Sequence, residues 1–429
     1  MTDACPALTR PAGFSYPAPM KVWVKLLIGS VLGIALGLLL PHENAALVSA
    51  LAWAESLAIR IGRYALTPIL FFSLVIAIYE LRQDLRMWGV AFRTIFIIIV
   101  SSFLLIGVGL VVVISFPPAR IPILIEGQKD AIALNLLTGI QELFPSNAFS
   151  ALVTDGSYLL PLCVLAFFLG AGLSFDRSYS KPVTALMDSL SRIFFYVSSF
   201  FSEILGAAMI VLGAYWAVRF HTAMNADVFL DLVILLGILA FALIFIVIPV
   251  CLYTLGPKIN PWKQLYGVAA PALAGFFSGD INFTLPILLK QAKDNHGVKR
   301  RSNTVSLALF AAFGRAGSAM VAAVSLIVII KSYSSLGVTT ADLLSIAVSA
   351  VVISLLLAKH PGDGAYTALA VLCATYGRGF EAGYLILKPI AFYLIAIGTL
   401  LDVVIAALGT YAVGKLSGFQ EDKEARHFV

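Results

Sequence analysis

Residues 307–330 read LALFAAFGRAGSAMVAAVSLIVII, and the fold turns on how the arginine in this stretch is accommodated. The segment is long and apolar enough to cross a bilayer, whose hydrocarbon core is about 30 Å thick. Arg315 nevertheless stands inside it, between Gly314 and Ala316. A charge near mid-membrane costs about 2.5–3.5 kcal/mol on insertion scales. It persists only where it faces a polar cavity, a partner carboxylate or a bound anion. Gly314 and Gly317 thin the helix there or let it break, leaving backbone groups that protein, water or ligand must satisfy. Arg315 therefore belongs either to a structural ion pair or to a binding site. Interrupted apolar segments on both sides of it favour the binding site.

The rest of the chain agrees with a membrane setting. Of its 429 residues, 60% are hydrophobic and 12% charged, with a mean hydropathy of +0.96. A soluble chain of this length is about a quarter charged, so the sequence predicts an all-α integral membrane protein. The net charge of +6 reflects topology rather than nucleic-acid binding, because the basic residues cluster between apolar runs. Cys5, Cys163, Cys251 and Cys373 are scattered and form no metal spacing or disulfide framework. No nucleophile–base or metal constellation points to an enzyme or a cofactor. Residues 1–20 lack an apolar core of their own, so no cleavable signal is expected and they form a cytoplasmic tail.

Taken in order, apolar spans are expected at about 23–40, 50–79, 89–116, 157–175, 183–219 and 229–256. The second carries Glu55, Arg60 and Arg63 in its first half, facing protein or headgroups rather than lipid. The fifth is too long for a perpendicular crossing and is expected to tilt. It holds Glu203 in apolar surroundings, either a proton-titrating group or an acid capped at a helix interface. Residues 119–150 are polar enough for a loop with a short helix.

Beyond residue 256 the pattern changes. Residues 262–293 form an apolar stretch interrupted by Ser278-Gly279-Asp280-Ile281-Asn282. Its arms of about 12–15 residues are too short to span the core. Two short helices entering and leaving on one side fit better. The flank KQAKDNHGVKRR (290–301) is the densest positive charge in the chain, which assigns that side to the cytoplasm. A second region of the same kind covers 341–377, centred on Lys359-His360-Pro361-Gly362-Asp363-Gly364, with less basic flanks that fit the opposite side. The Arg315 helix (303–331) lies between the two, and a last span (384–415) holds Asp402. Residues 417–429 form a polar cytoplasmic tail. Hairpin, helix, hairpin, helix with opposed entry is an inverted repeat, and broken segments in corresponding positions point to a transporter site near the midplane. Helix N-termini at the tips can offer backbone N–H groups to an anion.

Several motifs stand in an order that matches a known family. KLLIGSVLGIALGLLLP (25–41) and TPILFFSLVIAI (67–78) look like its first two helices, and FPSNAF (144–149) is close to its P-T-N-P-F. Phe283-Thr284-Leu285-Pro286 matches G-T-L-P after a serine-rich tip, and Gly317-Ser318-Ala319 matches the end of N-M-D-G-T-A. Pro361-Gly362-Asp363-Gly364 matches P-G-A-G, and Gly409-Thr410 to Lys415 matches the end of the last helix. Over nearly its whole length the chain resembles the dicarboxylate/amino acid:cation symporters, the glutamate and aspartate transporters among them. The resemblance implies eight transmembrane helices plus two opposed re-entrant hairpins and a homotrimer in the plasma (inner) membrane. It also implies an elevator mechanism, with residues 21–256 mainly scaffold and 257–416 the core transport domain. The third and sixth helices would travel with the transport domain.

Departures from the family pattern bear on the chemistry. Gly314-Arg315-Ala316 stands where the family has N-M-D, and the hairpin tip has lost its serine run. With Gly409-Thr410 as anchor, the family's substrate arginine falls on Gly398, its threonine on Thr399, its sodium-ligand asparagine on Asp402 and its sodium-ligand aspartate on Ala406. A register shifted by several residues would instead put Asp402 on an earlier family aspartate. Either way the oxygen set that a hard cation needs is depleted, so sodium coupling of the family type is not expected. Arg315 could replace the missing positive charge, or bind a substrate carboxylate through its fork. Asp402 and Thr399 are three apart and share one helix face. Asp402 is the first proton-coupling candidate, ahead of Asp280, Asp363 and Glu203; a permanent salt bridge to Arg315 is its alternative. The expected substrate-binding set is Arg315, Ser278, Asp280, Asn282, Thr284, Pro361, Gly362, Asp363, Gly364, Thr399 and Asp402. Asp363 could equally be a tip residue facing water.

The expected function is transport of a small carboxylate, an acidic amino acid or dicarboxylate, driven by protons or by exchange. The partners are that substrate, protons and membrane lipids, with no nucleic acid. The alternatives are a sodium-coupled or neutral amino acid transporter, and an anion-conducting channel-like protein.

Overall fold

Backbone groups in hydrocarbon have no water to bond, so apolar segments close their hydrogen bonds along helices. The computed structural model describes residues 20–41, 44–122, 136–153, 156–224, 227–254, 259–333, 338–425 and 428. The N-terminal half contains α1 (Val22–Leu39), α2 (Ala45–Arg63), α3 (Leu66–Gln83), α4 (Met87–Ser115), the short α5 (Leu136–Leu143), α6 (Leu160–Leu173) and α7 (Arg177–Met224). Helices α8 (Leu230–Ala242) and α9 (Ile248–Thr254) are joined through a π turn at Leu243–Val247. The first hairpin comprises α10 (Pro261–Gly267), α11 (Ala269–Ser278) and α12 (Ile281–Asp294). The broken helix is α13 (Arg300–Phe313) and α14 (Ala316–Tyr333). A second hairpin, α15 (Thr340–Ser354) and α16 (Gly364–Tyr376), precedes α17 (Ala391–Leu416).

Seven stretches among the described residues are long and apolar enough to cross a membrane, and the protein is a multi-pass membrane protein. The segment expected as a fourth span is shorter than that. Helix α6 has 14 residues, about 21 Å. The second expected span is two helices that meet at Tyr64–Ala65. Pro68 in the first turn of α3 has no N–H to offer the Tyr64 carbonyl. Helix α7 extends past both ends of its expected span, reaching 48 residues, about 72 Å. The last span begins as a 3-10 segment, Gly383–Ile390, before α17.

Small residues bring the first group of helices together. Gly29, Gly33 and Gly37 recur every fourth residue on α1, and a Cβ on each would come within 2.3, 2.3 and 2.5 Å of the Gly206, Ile210 and Ala214 carbonyls of α7. That spacing lets two backbones touch, as in close helix pairs within membranes. Helices α2 and α3 also pack on α7, and α3 packs on α6. The second group surrounds α14, which contacts α4, α15, α16 and α17. In the α13–α14 span 94% of the most apolar window is buried, against 33% in α1. The arginine-bearing helix is therefore enclosed by protein, not lipid.

The segment expected as a polar cytoplasmic tail is partly pinned to the α12–α13 turn. Lys299 N donates to the Phe419 carbonyl at 2.8 Å, and Glu421 N to the Gly297 carbonyl at 2.9 Å. Phe419 is buried between the guanidinium groups of Arg301 and Arg86, 4.5 and 5.5 Å from its ring centre. Beside this strap, in the turn between α12 and α13, His296 is buried with its Nε2–H donating to the Gln264 carbonyl at 3.2 Å.

Burial holds the His296 imidazole down at about 4, against an ordinary value of 6.5. Between these values the unfolded chain binds a proton that the folded protein refuses. Stability therefore falls as pH drops from 6.5 to 4 and levels off below. The loss is of the order of 3 kcal/mol for such a shift. Thermal unfolding of the detergent-solubilised protein across this range should show it, and His296→Gln should flatten that part of the profile.

Candidate functional site

The break in the 300–333 helix lies at Gly314-Arg315. Breaking a helix frees N–H groups at the start of its second half. They are met from another helix: Asp402 Oδ1 on α17 accepts from Gly317 N at 2.7 Å and Ser318 N at 3.2 Å, and Oδ2 accepts from the Ser318 hydroxyl at 2.6 Å. A carboxylate at a helix N-terminus is favoured both by these bonds and by the helix dipole. Arg315 Nε lies 3.5 Å from the same carboxylate, and both side chains are wholly buried. The guanidinium then reaches the second hairpin, where Nη2 donates to the His360 carbonyl at 2.8 Å and the Pro361 carbonyl at 3.2 Å. Nη1 finds no acceptor among the described residues.

The first hairpin turns at Gly279, whose φ of +63° suits a residue without a side chain. A Cβ there would also meet Ile395 at 2.7 Å. Asp280 then caps α12, with Oδ1 accepting from Asn282 N at 2.8 Å and Phe283 N at 3.2 Å. Its Oδ2 is ion-paired with Arg63, the last residue of α2. Next to Arg63, Gly62 leaves room for the Phe283 ring, which a Cβ would meet at 2.2 Å. The Ser278 hydroxyl accepts from Asp280 N at 3.2 Å, and Thr399 donates to the Gly279 carbonyl at 2.9 Å. The two tips meet directly, because Ile281 N donates to the Pro361 carbonyl at 3.2 Å. One carbonyl thus receives both the first hairpin and Arg315.

Most of the residues named from the sequence come together here. Ser278, Asp280, Arg315, Pro361, Gly362, Gly364, Thr399 and Asp402 surround the meeting point. Gly364 opens α16 where a Cβ would stand 2.4 Å from Arg315 Nη2, so a larger residue would displace the guanidinium. Gly398 is closed in: a Cβ would lie 3.0 Å from both Ala365 Cβ and Ser318 Cα. Asn282 is engaged with the Gly156 and Ser157 carbonyls at 2.9 and 3.0 Å. Thr284 bonds back to the Ile281 carbonyl within its own helix. The Asp363 side chain is 53% exposed and bonds to His360 and Thr367 rather than to Arg315. Glu203 is not brought to the tips. It is 43% exposed, paired with Lys25 of α1 and 4.0 Å from Lys290 of α12.

Arg63 and Ser318 take part without having been singled out as site residues. The signal for Arg63 was its charge inside an apolar span, but its partner is 217 residues away. Ser318 was legible only as part of the Gly317-Ser318-Ala319 motif, since nothing local shows that its hydroxyl meets the Asp402 carboxylate.

With the geometry in hand, comparisons with known proteins can be stated. Residues 22–416 match the family described as the sodium:dicarboxylate symporter family. A Caenorhabditis elegans protein named as a sodium-dependent excitatory amino acid transporter is 25% identical over 334 residues, 73% of this chain and 64% of that protein. The neutral amino acid transporter B(0) of Homo sapiens is 22% identical over 390 residues, 80% of this chain and 71% of that protein. Its counterpart in Oryctolagus cuniculus is 21% identical over 389 residues, with the same coverage. The chain spans about 64% of the length of the worm relative.

A double-mutant cycle tests whether the central pair acts as a unit. Arg315→Met and Asp402→Asn should each destabilise the protein by about 3–5 kcal/mol, because each leaves a buried charge without its partner. The double variant should lose clearly less than the sum. Denaturant unfolding in detergent measures all three, and additive losses would mean that the two side chains are energetically independent.

Proposed function

Because the chain belongs to the sodium:dicarboxylate symporter family, we propose that it is a secondary active transporter of a small carboxylate or amino acid, in which Arg315 stands in for a coupling cation. The observation that carries this is the guanidinium's coordination. The His360 and Pro361 carbonyls and the Asp402 carboxylate are the kind of oxygens that bind a hard cation. All three converge on Arg315 instead. A permanent internal charge removes the need for a bound sodium ion to hold the second hairpin against α14. Proton coupling or exchange then takes the place of sodium symport.

Substrate recognition fits the same centre. The fork of Arg315 retains, among the described residues, an unused donor at Nη1, suited to one oxygen of a carboxylate. The tight packing at Gly398 leaves no room for a second cationic side chain there, which widens the substrate class from acidic towards neutral amino acids. Ser278, Thr399 and the backbone of the two tips would complete the site. Asp402 and Asp280 are the proton-coupling candidates, since each is the buried acid of an ion pair.

Residues 257–416, with α4 and α8–α9, would form the moving part of an elevator, and α1, α2, α3, α6 and α7 the scaffold. The grouping of contacts around α14 and around α7 supports this division. The family likeness supports a homotrimer in the inner membrane, and the basic 290–301 flank supports cytoplasmic termini. The other reading retained is an anion-conducting, channel-like protein, which would dissipate a gradient without accumulating solute.

Uptake into proteoliposomes decides between them. Labelled aspartate, glutamate, succinate and neutral amino acids are offered with a sodium gradient, a proton gradient or neither. Accumulation or exchange without sodium, lowered at least tenfold by Arg315→Met and by Asp402→Asn, is the expected result. Sodium-driven uptake indifferent to Arg315→Met would overturn the cation-substitute model.

A further inference from the structure

A groove of about 520 Å³ opens away from the hairpin tips, between α4, α9 and α17. Its α4 wall runs from Phe92 to Leu105 and its floor on α17 from Ile405 to Leu416. The two runs cover about 20 and about 16 Å of helix, half to two thirds of a hydrocarbon core about 30 Å thick. Apart from Arg93, Ser101 and Thr254 the side chains along it are apolar, and Phe92, Phe96 and Val100 on its α4 edge are exposed on the outer surface. In a multi-pass membrane protein that surface meets lipid.

Three observations set this groove apart from ordinary lipid-facing surface. First, it has depth: its floor residues Ile405, Leu408 and Ala412 are themselves nearly buried. A gap without atoms on one side forfeits their dispersion contacts. Second, Arg93 stands exposed at one end, beside the C-terminus of α17. Its guanidinium donates to the Ser417 hydroxyl at 3.0 Å, a neutral partner rather than a carboxylate. Third, the π turn at Leu243–Val247 immediately precedes the wall residues Ile248, Cys251 and Leu252. Such turns cluster at functional sites, where they re-aim the residues that follow.

We propose that this groove is a phospholipid site, with one acyl chain lying along α4, α9 and α17 and an anionic phosphate headgroup on Arg93. The length of the groove matches one leaflet, its lining matches a hydrocarbon chain, and the cation lies where the headgroup of that chain must be. Bound lipid ties α4 and α9 to α17, the helix that carries Asp402. The site depends on the membrane setting of the chain and not on the nature of its substrate, so it stands or falls apart from the transport proposal.

Native mass spectrometry of the full chain tests it, after exchange into detergent containing equal amounts of phosphatidylglycerol and phosphatidylethanolamine. The wild type should retain one phospholipid and favour phosphatidylglycerol at least fivefold. One basic side chain near a membrane surface contributes about 1 kcal/mol, which is about fivefold. Arg93→Gln should abolish that preference while retaining lipid, Arg93→Lys should keep it, and Val100→Trp, which fills the groove, should cut retention at least fivefold. Gel filtration confirms that each variant is folded. Undiminished preference in Arg93→Gln, or undiminished retention in Val100→Trp, would overturn the proposal. So would displacement of the lipid by millimolar glycerol phosphate, which would mark a site for free phosphate without a chain.

Discussion

Arg315 and Asp402 bury opposite charges at the same helix break, and neither could remain there alone. An isolated ion in a dry interior is held at a penalty of several kcal/mol. Here the carboxylate also closes the N-terminus of α14, satisfying Gly317 N, Ser318 N and the Ser318 hydroxyl. The guanidinium gathers carbonyls from the second hairpin. One pair of side chains therefore settles three structural problems: the broken helix, the buried charge and the docking of a hairpin tip. Gly364 and Gly398 follow from it, because side chains at those positions would collide with Arg315 or with the Ser318 backbone.

A second ion pair couples this centre to the rest of the molecule. Asp280 both caps α12 and holds Arg63 at the end of α2. The Pro361 carbonyl then joins the first hairpin to the second. Any rearrangement that carries the hairpins past α2 must exchange the Arg63–Asp280 pair for another partner. Packed interiors and ion pairs of this kind favour discrete alternatives over gradual deformation, which is the behaviour that a transport cycle requires.

Small residues and polar pairs divide the work of assembly within the membrane. Lipid tails are as apolar as the helices, so burial of apolar surface gives little drive for helix association. The α1–α7 contact is instead set by Gly29, Gly33 and Gly37 against backbone carbonyls. Buried hydroxyl pairs tie α4 to its neighbours in the second group, Thr94 to Ser306 of α13 and Ser102 to Ser354 of α15. At the membrane edge Phe419 stacks between Arg86 and Arg301 and fastens the chain after α17 to the α12–α13 turn. That strap brings Ser417 to Arg93, at the head of the lateral groove.

What the sequence by itself determined was local: the membrane class, the interruptions of the apolar runs around Gly279, Arg315 and Gly362, and the family likeness carried by ordered short motifs. Helical hydrogen bonds join residues four apart, and Gly and Pro act on their own backbone, so these features are written in contiguous residues. The sequence also limited Arg315 to a counter-charge or a ligand, since burial admits nothing else. Only the tertiary structure decided that Asp402 meets it, that Arg63 meets Asp280, that Gly398 is closed and that Glu203 stands apart with two lysines. It likewise decided the pinning of residues 417–421. Each of these depends on the rotation and register of whole helices, fixed by contacts between residues far apart in the chain, 217 positions for Arg63 with Asp280 and 324 for Arg93 with Ser417. No local pattern encodes which faces of two distant helices will meet.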